Sequence, residues 1–253
     1  MIKYIISSEN KIYKEAKKLG SRSNRTKTGL FIAEGERLVN DAIACMATQY
    51  IIIDENYDDT NLTGLDLEIY RFSSKLFKEI SGTETSQGIV AVCKMKKSEN
   101  LRDVRGDMLV ICDGVSDPGN LGTIIRTAEC SGASGVVMLA GCVDVYNPKT
   151  VRSTMGSIFR IPLYFAEAQD LAMLSNYDIV VAMLNDACDL YEAQFGNKVA
   201  IVIGSEAHGV CVEVASCATK KIKIPMCGKA ESLNASVAGG IIMYEIFRRR
   251  ERG

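Results

Sequence analysis

Two α/β domains in tandem are predicted by three observations. Strand-like and helical segments alternate along most of the chain. Strands of the second half are apolar on consecutive residues, as buried parallel strands are. Between the halves, MKKSENLRDVRGD at 95–107 is charged and almost free of apolar residues, which suits a connector. The expected division is residues 1–97, a linker at 98–106, and residues 107–253. A chain of 253 residues is long enough for two separate cores.

The first domain opens with a basic helix at about 9–21, and SRSNRTKTG leads from it to a strand at FIAEG. A helix over about 36–47 follows, then strands at YIIID and LEIYRF, a short helix at SSKLFKEI and a strand at GIVAVCKM. This mixture predicts a small α/β sandwich. In the second domain, strand-like runs fall at 108–112, 135–139, 159–165, 178–184, 198–203 and 221–226. A helix closes the chain at about 232–250, where Leu233, Val237 and Ile241 recur every four residues with Ile242 and Ile246 beside them. The arrangement is a doubly wound parallel sheet, whose ligands bind at the carboxyl ends of the strands.

Composition narrows the function. Apolar residues make up 47% and charged residues 24%, the balance of a soluble globular protein. Neither a signal peptide nor a membrane-length apolar run appears, so a cytoplasmic protein is expected. Nine Cys without a C-x-x-C pair, and a single His, rule out zinc-ligand spacing and point to reduced core thiols; no metal is expected. A catalytic Cys would need His208 as its base, which is the weaker reading. Residues 1–30 hold eight Lys/Arg against two Glu, whereas residues 107–253 hold 13 basic and 16 acidic side chains. A basic end on a near-neutral body fits a polyanion partner, although on charge alone a solvated helix face is the simpler account.

Three segments of the second domain follow strands and carry candidate chemistry. In DGVSDPGNLGTIIRTAE, at 113–129, Asn120 is placed to cap a helix that carries Arg126 two turns in. The forked donors of Arg126 suit a phosphate or a ribose, and no dinucleotide or P-loop pattern is present. In IVIGSEAHGV, at 201–210, Glu206 lies just past a strand's end as an acceptor for a ribose or an orienter of Arg126. In KIKIPMCGKAESLNASVAGG, at 221–240, Ser232 or Asn234 opens the last helix, and Gly239-Gly240 marks a close packing contact. Each segment taken alone is also an ordinary helix cap.

Taken together, N-x-G-x-x-x-R-T-A, G-S-E-x-x-G and I-P-M-x-G-x-x-x-S-L-N resemble the three motifs of the SpoU (TrmH-like) RNA ribose 2′-O-methyltransferases of the SPOUT superfamily. They occur in the family's order, and the likeness covers the whole second domain. SSENKIYKEAKKL, GLFIAEGERLV and SGTETSQGIVAV resemble the L30e-like substrate-binding domain often joined to these enzymes. The resemblance implies a trefoil knot near the C-terminus, a homodimer formed through that domain, and S-adenosylmethionine bound by Gly204, Ile224, Leu233, Met226 and Leu184. It implies Arg126, Glu206, Ser232, Asn234 and Asn120 at the catalytic centre, with Arg126 as general base or as stabiliser of the developing alkoxide. Lys14, Lys17, Lys18, Arg22, Arg25 and Lys27 become candidates for the RNA backbone. The expected activity is 2′-O-methylation of RNA, ribosomal rather than transfer RNA. The competing readings are a tRNA enzyme, a base methyltransferase, a non-catalytic RNA-binding protein of the same fold and a nucleotide-dependent dehydrogenase.

Overall fold

A computed structural model describes residues 2–96, 100–183 and 186–251. The chain divides into two compact units. One comprises Met1–Lys96 with Asp144–Phe159, the other Lys97–Val143 with Arg160–Gly253. Residues 144–159, assigned from sequence to the second domain, therefore pack with the first. Tyr146 and Phe159 lie against Phe31, with ring centroids 4.8 and 5.9 Å away.

The first unit holds a five-stranded sheet in the order β1-β4-β3-β5-β2. Its strands are β1 (Ile2–Ile5), β2 (Leu30–Glu34), β3 (Thr48–Asp54), β4 (Ile69–Phe72) and β5 (Ile89–Lys94). Parallel pairing joins β1, β4 and β3, while β5 runs antiparallel to β3 and β2. Helices α1 (Lys11–Lys18), α2 (Arg22–Thr28), α3 (Glu36–Ala44) and α4 (Ser74–Ile80) connect them, and α6 (Pro148–Ser153) joins this unit. Two of these elements, β1 and α2, were not expected. Ser21 caps α2, and Gly29 ends it at φ +68°, so SRSNRTKTG is a helix with both punctuation marks. One core face gathers Tyr13, Leu19, Ile52, Tyr70, Phe72 and Phe77.

The second unit is a wholly parallel seven-stranded sheet, ordered β10-β12-β9-β11-β6-β7-β8. Its strands are β6 (Met108–Asp113), β7 (Gly135–Met138), β8 (Leu163–Phe165), β9 (Asp178–Ala182), β10 (Cys188–Asp189), β11 (Val199–Gly204) and β12 (Lys220–Lys223). Helices α5 (Pro118–Cys130), α7 (Val212–Ser216) and α8 (Ala235–Glu251) complete it. The consecutive apolar runs are buried as expected: all of Met108–Cys112 and Val199–Ile203 lie in the core. Leu101, inside the expected linker, is buried too. Three features differ from expectation. β8 begins only at Leu163, because Ser157–Phe159 is a tight helical turn. β10 is an added short edge strand. In α8 the packed face is Gly239, Ile242, Met243 and Ile246, whereas Val237 of the expected stripe is exposed.

The last turn of α8 is tied down by charge. Arg248 and Arg249 both donate to Glu245, and their hydrogen bonds hold its carboxyl down at about 2. Arg249 also donates to the carbonyls of Leu190 (3.0 Å) and Tyr191 (2.9 Å).

Candidate active site

Strands β6, β11 and β12 end on one side of the second sheet, and the three candidate segments extend from those ends. After β6 the chain enters α5 at Pro118, whose missing N–H costs nothing in a first turn. The cap is Asp117, not Asn120: its side chain accepts from the Asn120 N–H at 2.8 Å. The cap is thus shifted three residues, and the Asn120 side chain is released for another task. Arg126 lies two turns on, exposed, with no hydrogen bond or ion pair to any other described residue.

Past β11 the loop 205–209 closes on itself. Ser205 N–H donates to Gly209 O at 2.9 Å, and Gly209 N–H donates back at 2.8 Å. Gly204 is pressed against this loop, since a Cβ there would sit 2.6 Å from both Gly209 O and Val210 N. Gly204→Ala is therefore expected to push the loop outward and to weaken at least tenfold the S-adenosylmethionine binding that the family resemblance implies, read by calorimetric titration. Unchanged affinity would separate Gly204 from the cofactor site.

Asn234 rather than Ser232 opens α8. Its Oδ1 accepts from the N–H groups of Ser236 (3.0 Å) and Val237 (3.3 Å). Ser232 is exposed, two residues upstream.

Side chains from the three segments meet in a chain with one permitted direction. The carboxylate of Glu206 can only accept, so Asn120 turns its Nδ2 toward it, at 2.7 Å. That leaves Asn120 Oδ1 facing α8, where it accepts from Asn234 Nδ2 at 3.0 Å. Asn234 Oδ1 is then aimed at the backbone N–H groups of the helix, which can only donate. Both amides are oriented from their outer ends. Ser236, absent from the expected set, braces the junction: its buried hydroxyl lies 2.7 Å from Asn234 Oδ1 and 3.3 Å from Asn120 Oδ1. Local sequence shows only a small, polar helix start there, N-x-S, which does not distinguish a brace from a cap.

Beside this cluster lies a cavity of about 530 Å³. Gly204, Ile224, Met226 and Leu233 line it, as do Glu206 and Ser232, while Asn120, Arg126 and Asn234 do not. Leu184 lies outside the described residues. His208, exposed, is on the same wall. The Cys112 thiol, buried at the centre of the sheet, is pushed well above its ordinary value by that burial, so it is no nucleophile. Among the described residues, no cluster of His, Cys, Asp and Glu is arranged to hold a metal. What remains is a half-open binding cleft, a hydrogen-bonded polar rim, and the guanidinium of Arg126, unpaired among the described residues.

The six basic residues proposed for the RNA backbone fall into three groups. Lys14 pairs with Glu9 at 2.5 Å, and Lys17 pairs with Glu79. Lys18, Arg22 and Lys27 are exposed and enter none of the ion pairs among the described residues. Arg25 must be removed from the RNA-facing set, because it is only 2% exposed. Its guanidinium donates to the carbonyls of Leu19 (2.8 Å) and Gly20 (2.9 Å) and to Asp144 (3.2 Å from Nε). A buried Arg whose three guanidinium nitrogens are all engaged, by two carbonyls and a carboxylate, is not presented to a phosphate.

Residues 107–244 match the SpoU rRNA Methylase family, and residues 10–91 match the MRM3-like substrate binding domain. The 23S rRNA (guanosine(2553)-2'-O)-methyltransferase RlmP of Bacillus subtilis is 35% identical over 97% of this chain and 99% of its own length. The 23S rRNA (uridine(2479)-2'-O)-methyltransferase of Streptomyces viridochromogenes is 30% identical over 93% of this chain and 88% of its own. An AdoMet-bound rRNA methyltransferase from Sinorhizobium meliloti superposes with a TM-score of 0.88 at 31% identity, covering 98% of both chains. The three motifs, the parallel sheet and the appended mixed-sheet unit thus have one origin: this chain belongs to the SpoU rRNA methylase family.

Proposed function

We infer that this protein transfers a methyl group from S-adenosylmethionine to a ribose 2′-hydroxyl of ribosomal RNA. The hydrogen-bonded chain Glu206–Asn120–Asn234 carries this reading, since it joins all three family motifs at the edge of one cavity. The cavity suits the cofactor. Ile203, Leu233 and Ile242 offer an apolar wall for a base, loop 204–210 offers main-chain groups, and Glu206 and Glu231 offer negative charge to a sulfonium. When bound, the cofactor supplies an activated methyl group. The protein's own residues do the rest. Asn120 and Asn234 fix Glu206 and the start of α8, and so fix the floor on which a ribose rests. Such positioning supplies much of the rate, because oxygen, carbon and sulfur must lie nearly in line. The hydroxyl proton passes to solvent, while Arg126, whose guanidinium stays protonated, stabilises the developing alkoxide and clamps the neighbouring phosphate. The B. subtilis and S. viridochromogenes relatives, both named for 23S rRNA, support ribosomal RNA as the acceptor. The test is to incubate total RNA from a deletion strain with the protein and methyl-labelled cofactor, then map the label. A label that resists alkaline cleavage at its 3′ phosphodiester is on the 2′-oxygen, and a label on a base overturns the reading.

RNA affinity in this proposal comes from the first unit, through the exposed Lys18, Arg22 and Lys27. Replacing all three by Ala is expected to weaken RNA binding about tenfold and flatten its salt dependence by up to three charges. Cofactor affinity should not change, and a loss of it would count against this division of labour.

The same reading includes a cytoplasmic homodimer with a knotted C-terminal region. Among the described residues no helix is long and apolar enough to cross a membrane. Support for the dimer is the outer stripe of α8, where Val237, Tyr244 and Phe247 are 50%, 47% and 37% exposed on one face. Tyr244→Glu is expected to halve the mass measured by sedimentation, and an unaltered mass would place the contact elsewhere.

A further inference from the structure

Asp113 ends β6 with its carboxylate buried, at 7% exposure, just where the apolar run Met108–Cys112 stops. Its Oδ2 accepts the N–H of Cys211 at 2.7 Å. In the sheet, Asp113 is also the register partner of Gly204. Loop 205–210 therefore leaves the sheet beside Asp113 and returns to its side chain. Every residue of that loop lines the cavity, and Glu206 at its tip accepts from Asn120. A buried carboxylate on a backbone N–H is a charge-assisted bond, among the stronger and stiffer kinds.

We propose that Asp113 is a positioning residue for methyl transfer, clamping both ends of the loop that walls the cofactor cavity and presents Glu206. The proposal rests on reading this cavity as the cofactor site. Cutting the clamp acts on two readouts, cofactor affinity through the wall and turnover through Glu206, while Arg126 is left untouched.

Two variants cut the same bond from opposite sides. Asp113→Ala removes the acceptor. Cys211→Pro removes the donor, and φ at Cys211 is already −67°, the angle proline imposes. Each is expected to raise the Kd for S-adenosylmethionine and lower kcat by about ten- to a hundredfold. The double variant should be no worse than the more impaired single one, because both break one link. Cys211→Ser, which keeps the N–H, should fall closer to wild type than Cys211→Pro. Binding is read by calorimetry without RNA, beside the melting temperature. If Asp113→Ala does not fold, Cys211→Pro and Cys211→Ser carry the test. Wild-type Kd and kcat with only a lowered melting temperature would reduce Asp113 to a structural residue and overturn the proposal, as would fully additive losses. A wild-type protein that fails to bind S-adenosylmethionine would instead sink the assignment of the cavity.

Discussion

Arg126→Ala is expected to lower kcat by about 10²–10³-fold, the range seen when a single preorganised donor to a developing oxyanion is removed. Cofactor affinity should stay within twofold, since Arg126 does not line the cavity, and thermal stability should hold, since the side chain is exposed and unpaired among the described residues. The contrast with Lys decides its role. Lysine keeps the charge but loses the planar fork that grips a phosphate and a hydroxyl together. Arg126→Lys is therefore expected to recover only part of the loss. If Arg126 instead removed a proton as a base, Arg126→Lys would gain relative activity as pH rises toward the lysine pKa, about 10.4. Turnover measured from pH 7 to 10.5 separates the two, and an Arg126→Ala enzyme of full activity would remove the residue from the mechanism.

Asn120→Asp is expected to be more damaging than Asn120→Ala, although it changes fewer atoms. The Asn120 amide donates to Glu206 on one side and accepts from Asn234 on the other. An ionised Asp has no donor, and it sets a second carboxylate at hydrogen-bond distance from Glu206. Like charges so placed raise the pKa of the pair, and one proton is shared between them. The sign follows: at neutral pH the pair repels and the loop carrying Glu206 moves away, whereas at lower pH the shared proton restores a donor. Activity of Asn120→Asp should therefore rise as pH falls from 8 toward 6, opposite to the wild-type trend for a reaction that releases a proton. Asn120→Ala should show no such rise. Equal pH profiles for the two variants would mean that the direction of the chain is unimportant.

The candidate site is largely legible in the sequence because its residues follow strand ends, where turn chemistry is conspicuous. Arg126, Glu206 and Asn234 are proposed on that ground. Strict local reading misassigns the cap of α5, since Asn120 and Asp117 are equally good cap residues and only Pro118 at the first helical position discriminates. Contacts between segments were not legible. Nothing local marks Ser236 as the brace between Asn120 and Asn234, or Asp144 as the partner that buries Arg25. Lysine and arginine read alike as charge, yet arginine is the one that buries its fork against carbonyls. Strands read well where both faces are covered. The edge strands β1 and β10 were missed because half-exposed sequences such as IKYI, or a two-residue pairing, carry little periodicity.

The return of Asp144–Phe159 to the first unit has a consequence for how the gene can be cut. A fragment ending at Lys96 would keep all five strands of its sheet but strand the Arg25 cation without its carboxylate and leave Phe31 without two aromatic neighbours. Losing one partner of a buried pair costs about 3–5 kcal/mol, a large share of a small domain's stability. Recombination at the apparent boundary would thus yield a crippled module, so a stable first unit has to carry residues 144–159 with it.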